Sequence, residues 1–228
     1  CSGEKDPMRG RILALDECLE RANLESRGTF RYSNLGFLLV GAMLERTGGS
    51  SFEALVREQV IKPLGLKSAG FLSELDAENE MLVFPHRTRD IGDFAPYQDR
   101  LDGYFPPVIS SAGGLFLSVA DLARWAAWNL PSEEGLRDGH TETAIQQYQR
   151  LRAECPTREA VPGAPAMVGY GLGWGIVGVE GYPHALLGHS GTHGVDLEWM
   201  LLLPEKRMAL LLLTNAGGEQ ALAAFREA

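Results

Sequence analysis

Tyr32 and Asn34 stand one residue apart in "RYSNLGFLLVGAMLERTGG", residues 31–49, immediately ahead of an apolar run. A phenol near a cation can shuttle a proton, and a carboxamide can hold a substrate carbonyl. The same pair also has a structural use, in which Ser33 or Asn34 caps the helix that follows and Tyr32 packs beneath it. Spacing alone leaves both uses open.

A second candidate is "GHSGTHG", residues 188–194. It reads as lying where a strand has just begun, and its bracketing glycines would let a ligand backbone approach the strand edge. The bland alternative is a hairpin with surface histidines. His184, His189 and His193 raise the question of a metal, but the His189 to His193 spacing ligates zinc from a helix, and Ser190-Gly191 in a strand context opposes one. No metal and no other cofactor is expected. Ser110, Ser111 and Ser190 have no base organised beside them in the sequence, so none reads as a nucleophile.

These residues need elements to position them. From Leu35 to Thr47 apolar residues are nearly continuous, Gly36, Gly41 and Ala42 allow close packing, and Gly48-Gly49 supplies a stop, which together read as a core helix. Ser50 and Glu53 give a capping-box pattern for a second helix through about Val60, which Pro63 is expected to end. Residues 72–112 carry Phe84, Phe94, Tyr97, Tyr104 and Phe105 without helical period and read as a long loop segment that could wall a cleft. "SVADLARWAAWNLP" restarts order, with Ser118 as N-cap, Asp121 in the first turn, Leu122, Trp125, Ala126 and Trp128 packing, and Pro131 as the close.

"TETAIQQYQRLRAE" reads as a further amphipathic helix, followed by a proline-rich connector from Pro156 to Pro165. Three strand-like stretches come next: "YGLGWGIVGV", "HALLGHSG" continuing into "VDLEWMLLLP", and "RMALLLLTN". Turns at Gly181-Tyr182-Pro183 and Pro204-Glu205-Lys206 join them. Short turns imply an antiparallel meander, closed by a helix from Gly218 onward.

With 228 residues, 45% of them hydrophobic, the chain has material for a substantial core. A formal charge of -9 disfavours nucleic acid and anionic membrane surfaces as partners, because their phosphates are repelled on average. Cys1, Cys18 and Cys155 form no CxxC, so neither a disulfide framework nor a zinc site is indicated. No apolar stretch approaches the length of a transmembrane segment, and no basic-then-apolar leader opens the chain. Cys1 followed by small polar residues fits the start of a lipidated mature chain as well as a cut end.

Four stretches, in order, resemble the penicillin-recognising serine hydrolases: class C β-lactamases, D-alanyl-D-alanine carboxypeptidases and related esterases. They are "FRYSNLGFLLVGAMLERTGGSSFEALVREQVIKPLGLKSAGF", "SSAGGLFLSVADLARW", "YGLGW", and "GHSGTHG" with "LLLPEKRMALLLLTN". The resemblance runs from about residue 11 to the C-terminus. It implies an α/β fold of the α+β type, with an antiparallel C-terminal sheet flanked by helices plus a helical subdomain. The chain is then one partial β-lactamase-like domain over residues 1–228, mostly helix and loop over about 11–155, strands and a closing helix over about 166–228.

The same resemblance implies roles. Tyr32 would relay a proton between nucleophile and leaving group, and Asn34 would hydrogen-bond the substrate's carbonyl side. His189, Ser190 and Gly191 would occupy the third motif, which is Lys-Thr-Gly in many β-lactamases and begins with His in some peptidases and esterases. The Thr192 N–H would be half of the oxyanion hole. A histidine is mostly neutral near pH 7, which suits a substrate carboxylate less than lysine does and favours an esterase or peptidase.

The family's nucleophile lies in Ser-x-x-Lys at the start of a buried helix. The single match here, Ser2-Gly3-Glu4-Lys5, is polar, precedes Asp6-Pro7 and offers no apolar face, so Ser2 is not expected to act. The resemblance therefore implies that the N-terminal strands and the nucleophile helix are missing and that this chain alone is inactive. It also implies an exposed sheet edge, or one covered by a partner chain or missing segment. Two readings compete: a hydrolase cleaving an ester or amide of a small molecule or peptide, and a non-catalytic module binding a peptide, cell-wall fragment or protein. The family is usually exported in bacteria, which implies a periplasmic or extracellular location.

Overall fold

In the computed structural model, which describes residues 6–20, 32–74, 83–90, 93–96, 106–130, 153–154 and 166–227, the chain divides into two units. The first comprises residues 1–27, 31–82 and 98–121, and the second residues 28–30, 83–97 and 122–228.

In the first unit Pro7 opens α1 (Pro7–Glu20), at a position where its missing N–H is no loss. Ser33 caps α2 (Asn34–Gly48): its backbone is extended and its Oγ accepts from the Gly36 N–H at 3.2 Å. Gly49 ends the helix at φ 65°, donating to the Glu45 carbonyl at 2.9 Å. Leu38, Gly41 and Glu45 form the buried face, and Gly41 has no room for a side chain, since a Cβ there would lie 2.5 Å from Ser111 Oγ. The expected core helix is buried on this face only. Leu39, Val40, Met43 and Leu44 are exposed, because α1 and α3 (Phe52–Val56) both pack on one side of α2.

The second helix departs from expectation at both ends. Ser51 rather than Ser50 is the N-cap of α3, accepting from the Ala54 N–H at 3.2 Å, and Glu53 turns inward to Arg11 instead of closing a capping box. Pro63 does not end it. A π-helical turn, Arg57–Ile61, leads into α4 (Lys62–Leu64), and the widened turn shifts the hydrogen-bond register where proline lacks its N–H. The stop is Gly65 at φ 63°, with Gly65 N–H on Lys62 O at 3.1 Å and Leu66 N–H on Ile61 O at 3.0 Å. Ile61 and Leu66 are both buried, which completes a Schellman closure. β1 (Gly70–Phe71) pairs antiparallel with β4 (Leu115–Phe116).

The boundary between the units falls inside α5 (Val119–Asn129). Ser118 Oγ accepts from the Asp121 N–H at 3.3 Å, and the buried Asp121 carboxylate takes both the N–H and the hydroxyl of Ser68, at 2.7 and 2.6 Å. In the second unit Ala126 and Leu130 pack on fully buried Leu202, with Trp174, Leu187, Met200 and Leu211 around them. Trp128, expected to pack, is exposed.

The main sheet of the second unit is an antiparallel meander in the order β10-β9-β8-β7-β6-β5. Its strands are β5 (Ala153–Glu154), β6 (Ala166–Gly171), β7 (Trp174–Gly178), β8 (Leu186–Gly191), β9 (Leu197–Leu203) and β10 (Met208–Thr214), and α6 (Glu219–Glu227) follows. The meander and closing helix are as expected; the strand divisions differ. "YGLGWGIVGV" is a hairpin turning on Leu172 at φ 51° and Gly173 at φ 86°, and a leucine in the left-handed region carries no turn signal in the sequence. "HALLGHSG" and "VDLEWMLLLP" are two strands paired with each other.

Of the amphipathic helix expected from "TETAIQQYQRLRAE", Ala153 and Glu154 are strand, paired with Tyr170 and Gly169; its other residues and the proline-rich connector lie outside the described residues. Within the expected loop, β2 (His86–Asp90) and β3 (Asp93–Pro96) form an antiparallel pair that β11 (Ala216–Gly217) joins in parallel. That parallel contact joins residues far apart in the chain, so no local pattern announces it. Among the described residues no helix is long and apolar enough to cross a membrane.

Candidate active site

In the first unit, the capping use weighed for this segment falls to Ser33, one of the two residues considered for it. Ser33 is the cap, and Tyr32 is 51% exposed, its ring 6.1 Å from that of Phe37 and tilted by 47°. Asn34 is the first helical residue, and among the described residues no hydrogen bond occupies its carboxamide. Both side chains thus lie exposed at the N-terminus of α2, the positive end of the helix dipole.

In the second unit His189, Ser190 and Gly191 end strand β8 rather than begin it. Side chains from β9 close over the glycines: a Cβ at Gly188 would lie 2.8 Å from Leu201 Cδ2, and one at Gly191 would meet the end of the Glu198 side chain. His189 is half-buried, with Nε2 3.2 Å from the Tyr170 hydroxyl and the two rings edge to face. Burial holds its pKa below the usual histidine value, against an opposing hydrogen bond with the Ser190 backbone. His189 is therefore a neutral imidazole near pH 7, sharing a proton position with a phenol; which is donor depends on the tautomer.

The loop after β8 is tied down by its own side chains. Thr192 Oγ1 donates to the Asp196 carbonyl at 2.6 Å and accepts from the Gly194 N–H at 2.9 Å. The His193 N–H donates to Asp196 Oδ1 at 2.7 Å, and His193 Nδ1 lies 3.1 Å from Oδ2. The hydrogen bond with Asp196 raises the His193 pKa despite burial. Burial would raise Asp196, but the hydrogen bonds from His193 hold it below its ordinary value. Glu198 is pushed up by burial and by the Asp196 charge.

The structure therefore gathers His189, Ser190, Gly191 and Thr192 at one strand end and adds Tyr170, Asp196 and Glu198, which the sequence reading did not single out. Tyr170 lies within the quoted "YGLGW", and Glu198 is an acid in the otherwise apolar "LEWMLLL", a signal that was there to be used. Tyr32 and Asn34 belong to the other unit. Ser110 Oγ donates to the Pro107 carbonyl at 2.8 Å, and Ser111 Oγ is buried without a partner among the described residues, so neither hydroxyl has a base beside it there. His184 is exposed, and Ser2 lies outside the described residues. Among the described residues no group of three or more His, Cys, Asp and Glu side chains could hold a metal ion. A cavity of about 370 Å³ in the first unit, lined by Glu53, Arg57 and Glu74 among others, includes none of the motif residues.

The family model described as Beta-lactamase matches residues 12–228. Penicillin-binding protein 4 of Amycolatopsis lactamdurans is 25% identical over 195 residues, covering 82% of this chain and 47% of that protein. The D-alanyl-D-alanine-carboxypeptidase/endopeptidase AmpH of Escherichia coli K12 is 25% identical over 188 residues, 81% of this chain and 44% of that protein. The octameric penicillin-binding protein homologue from Pyrococcus abyssi superposes with a TM-score of 0.65 at 25% identity, over 90% of this chain and 43% of that one. The chain thus spans under half the length of the curated relatives it matches. Its helix-flanked antiparallel meander and the match along nearly its whole length lead to one conclusion: the chain belongs to the beta-lactamase family.

Proposed function

We propose that the chain carries substrate-site groups of a serine hydrolase that cleaves an ester or amide through an acyl-enzyme. The observation that carries this is a strand end bearing His189-Ser190-Gly191, with His189 neutral and paired to the Tyr170 hydroxyl, in a chain of this family. Tyr32 takes the proton of the attacking hydroxyl and passes it to the leaving group, and Asn34 holds the substrate's carbonyl side. The Thr192 N–H donates to the oxygen on which negative charge develops. A neutral His189 favours ester or peptide substrates over ones anchored by a carboxylate.

The nucleophile is the part this chain does not obviously bring. Ser-x-x-Lys occurs once in the sequence, as Ser2-Gly3-Glu4-Lys5, in a polar segment without an apolar face. The supporting groups stabilise only what a serine creates, so this chain by itself does not acylate. That favours a second reading, a non-catalytic module that binds a peptide, cell-wall fragment or protein partner. The test is intact-protein mass spectrometry after incubation with a fluorophosphonate or a chromogenic cephalosporin. The expected result is no adduct; a stoichiometric adduct mapped to a serine would reveal a working nucleophile and remove the second reading.

A further inference from the structure

Tyr170 stands on β6 and His189 on β8, with β7 between them, since the row of the sheet that carries the tyrosine runs Tyr170–Gly175–Gly188. Its side chain nevertheless reaches His189: the hydroxyl lies 3.2 Å from Nε2, and the rings meet edge to face with their centroids 6.2 Å apart. Both residues are half-buried, so the two polar tips gain from pairing with each other. The imidazole has a second partner in the Ser190 backbone, and that hydrogen bond acts to raise the His189 pKa. A bond with that effect is one in which the ring donates, and the group that accepts is the carbonyl. Nδ1, next to the ring carbon that carries the side-chain stem, is the nitrogen able to turn back to the backbone of the following residue. Nε2, at the far end of the ring, is left to the phenol.

We propose that Tyr170 is a positioning residue for His189: its O–H donates to Nε2 while Nδ1–H donates to the Ser190 carbonyl, which holds one neutral tautomer and one ring orientation at the end of β8. A neutral imidazole carries a single ring proton. With that proton given to a backbone carbonyl, Nε2 is a lone pair, and the phenol must be the donor that faces it. Burial is the chief cause that keeps the ring neutral. The titratable groups around the strand end do not change this, because His193 and Asp196 pair with each other in the loop beyond and Glu198 of β9 stands opposite Gly191. The inference deepens, and rests on, the reading of His189-Ser190-Gly191 as a substrate-site motif. A ring held at both nitrogens has little rotamer freedom to lose when a substrate arrives.

Ring nitrogen-15 spectra of His189 in the full chain, recorded above its titration, read the tautomer directly, because a bare ring nitrogen resonates far downfield of a protonated one. A bare Nε2 and a protonated Nδ1 are expected. Tyr170→Phe keeps the aromatic ring and removes only the hydroxyl. In that variant the bare Nε2 signal should give way to a mixture of tautomers, and the His189 pKa should rise, since a donor that favours the neutral form is gone. A purely structural role for Tyr170 would not exchange the protonated nitrogen. A protonated Nε2 in the native chain would overturn the proposal whether or not the variant folds, and so would an unchanged tautomer in a folded variant. A lowered His189 pKa in the variant would also overturn it, by showing that the phenol had been the acceptor. No substrate or nucleophile enters this experiment, so its failure is distinct from that of the proposed activity, which the acylating probes decide.

Discussion

Arg11 of α1 is fully buried and held by Glu45 of α2, its Nε donating to the two carboxylate oxygens at 3.1 and 3.2 Å and its Nη2 to Oε1 as well. Nη1 and Nη2 also reach Glu53 of α3, at 3.3 Å each, and the Pro107 carbonyl accepts from Nη1 at 3.0 Å. Burial would lower the Arg11 pKa, but the hydrogen bonds to Glu45 and Glu53 raise it. One guanidinium thus joins three helices and a distant turn. Arg11→Met leaves two buried carboxylates facing each other, and a destabilisation of about 3–5 kcal/mol is expected from urea unfolding. A change below about 1 kcal/mol would show that the cluster is solvated and not structural.

The cap and the chemistry at α2 separate by mutation. Ser33→Ala removes the cap and is expected to cost about 1 kcal/mol. Asn34→Ala and Tyr32→Phe should each stay within about 0.5 kcal/mol of the native chain, since among the described residues the Asn34 side chain makes no hydrogen bond and Tyr32 is half exposed. If Asn34→Ala destabilises as much as Ser33→Ala, the carboxamide is structural. In a protein that acylates, Tyr32→Phe is expected to slow acylation by roughly a hundredfold or more without unfolding it.

Two histidines four residues apart should titrate in opposite directions. His189 is expected below 6.5 and His193 above it, read from ring proton signals by NMR. Asp196→Asn should bring His193 down and leave His189 in place. The linkage follows in sign: the His193 contribution is complete below about pH 6.5 and lost as pH rises through its raised folded value. The Asp196 contribution is present above about pH 3.8 and lost as pH falls through its lowered one. Amides of the 192–196 loop should therefore be best protected between these limits and exchange faster above them, once intrinsic exchange is divided out. Protection that keeps rising past neutrality would contradict the pairing.

Two glycines test which neighbours can give way. A Cβ at Gly217 would strike the Gly194 carbonyl and the Val195 nitrogen, which are backbone, whereas one at Gly191 meets only the end of the Glu198 side chain. Gly217→Ala is expected to cost about 2–3 kcal/mol and Gly191→Ala clearly less, by thermal or urea unfolding. The reverse order would mean that the 194–195 backbone moves more easily than Glu198 does.

Much of this was legible in the sequence because it rests on local patterns. The α2 stop at Gly48-Gly49, Ser118 before α5 and the turn at Pro204-Glu205-Lys206 each follow from the conformational limits of those residues. What escaped depends on distant partners. Glu53 looked like a capping residue because its three-dimensional partner, Arg11, lies 42 residues away. Residues 86–96 looked irregular because β11, which pairs with them, comes from the far end of the chain. At the candidate site the residue types were readable as motifs, but neither the Tyr170 contact with His189 nor the place of Glu198 opposite Gly191 could be inferred without the register of the sheet.

Strand β10 has its own consequence, in solution behaviour. Its seven residues, "MALLLLT", carry no charge and no proline; Met208, Leu210 and Leu213 are exposed, and among the described residues only β9 pairs with it. Such a strand is a template for another copy of itself. Recovery of soluble protein on refolding should fall as the protein concentration rises, since misassembly is bimolecular while folding is not. Leu210→Lys should flatten that dependence, which makes the colloidal properties of the chain a property of one strand rather than of its overall charge.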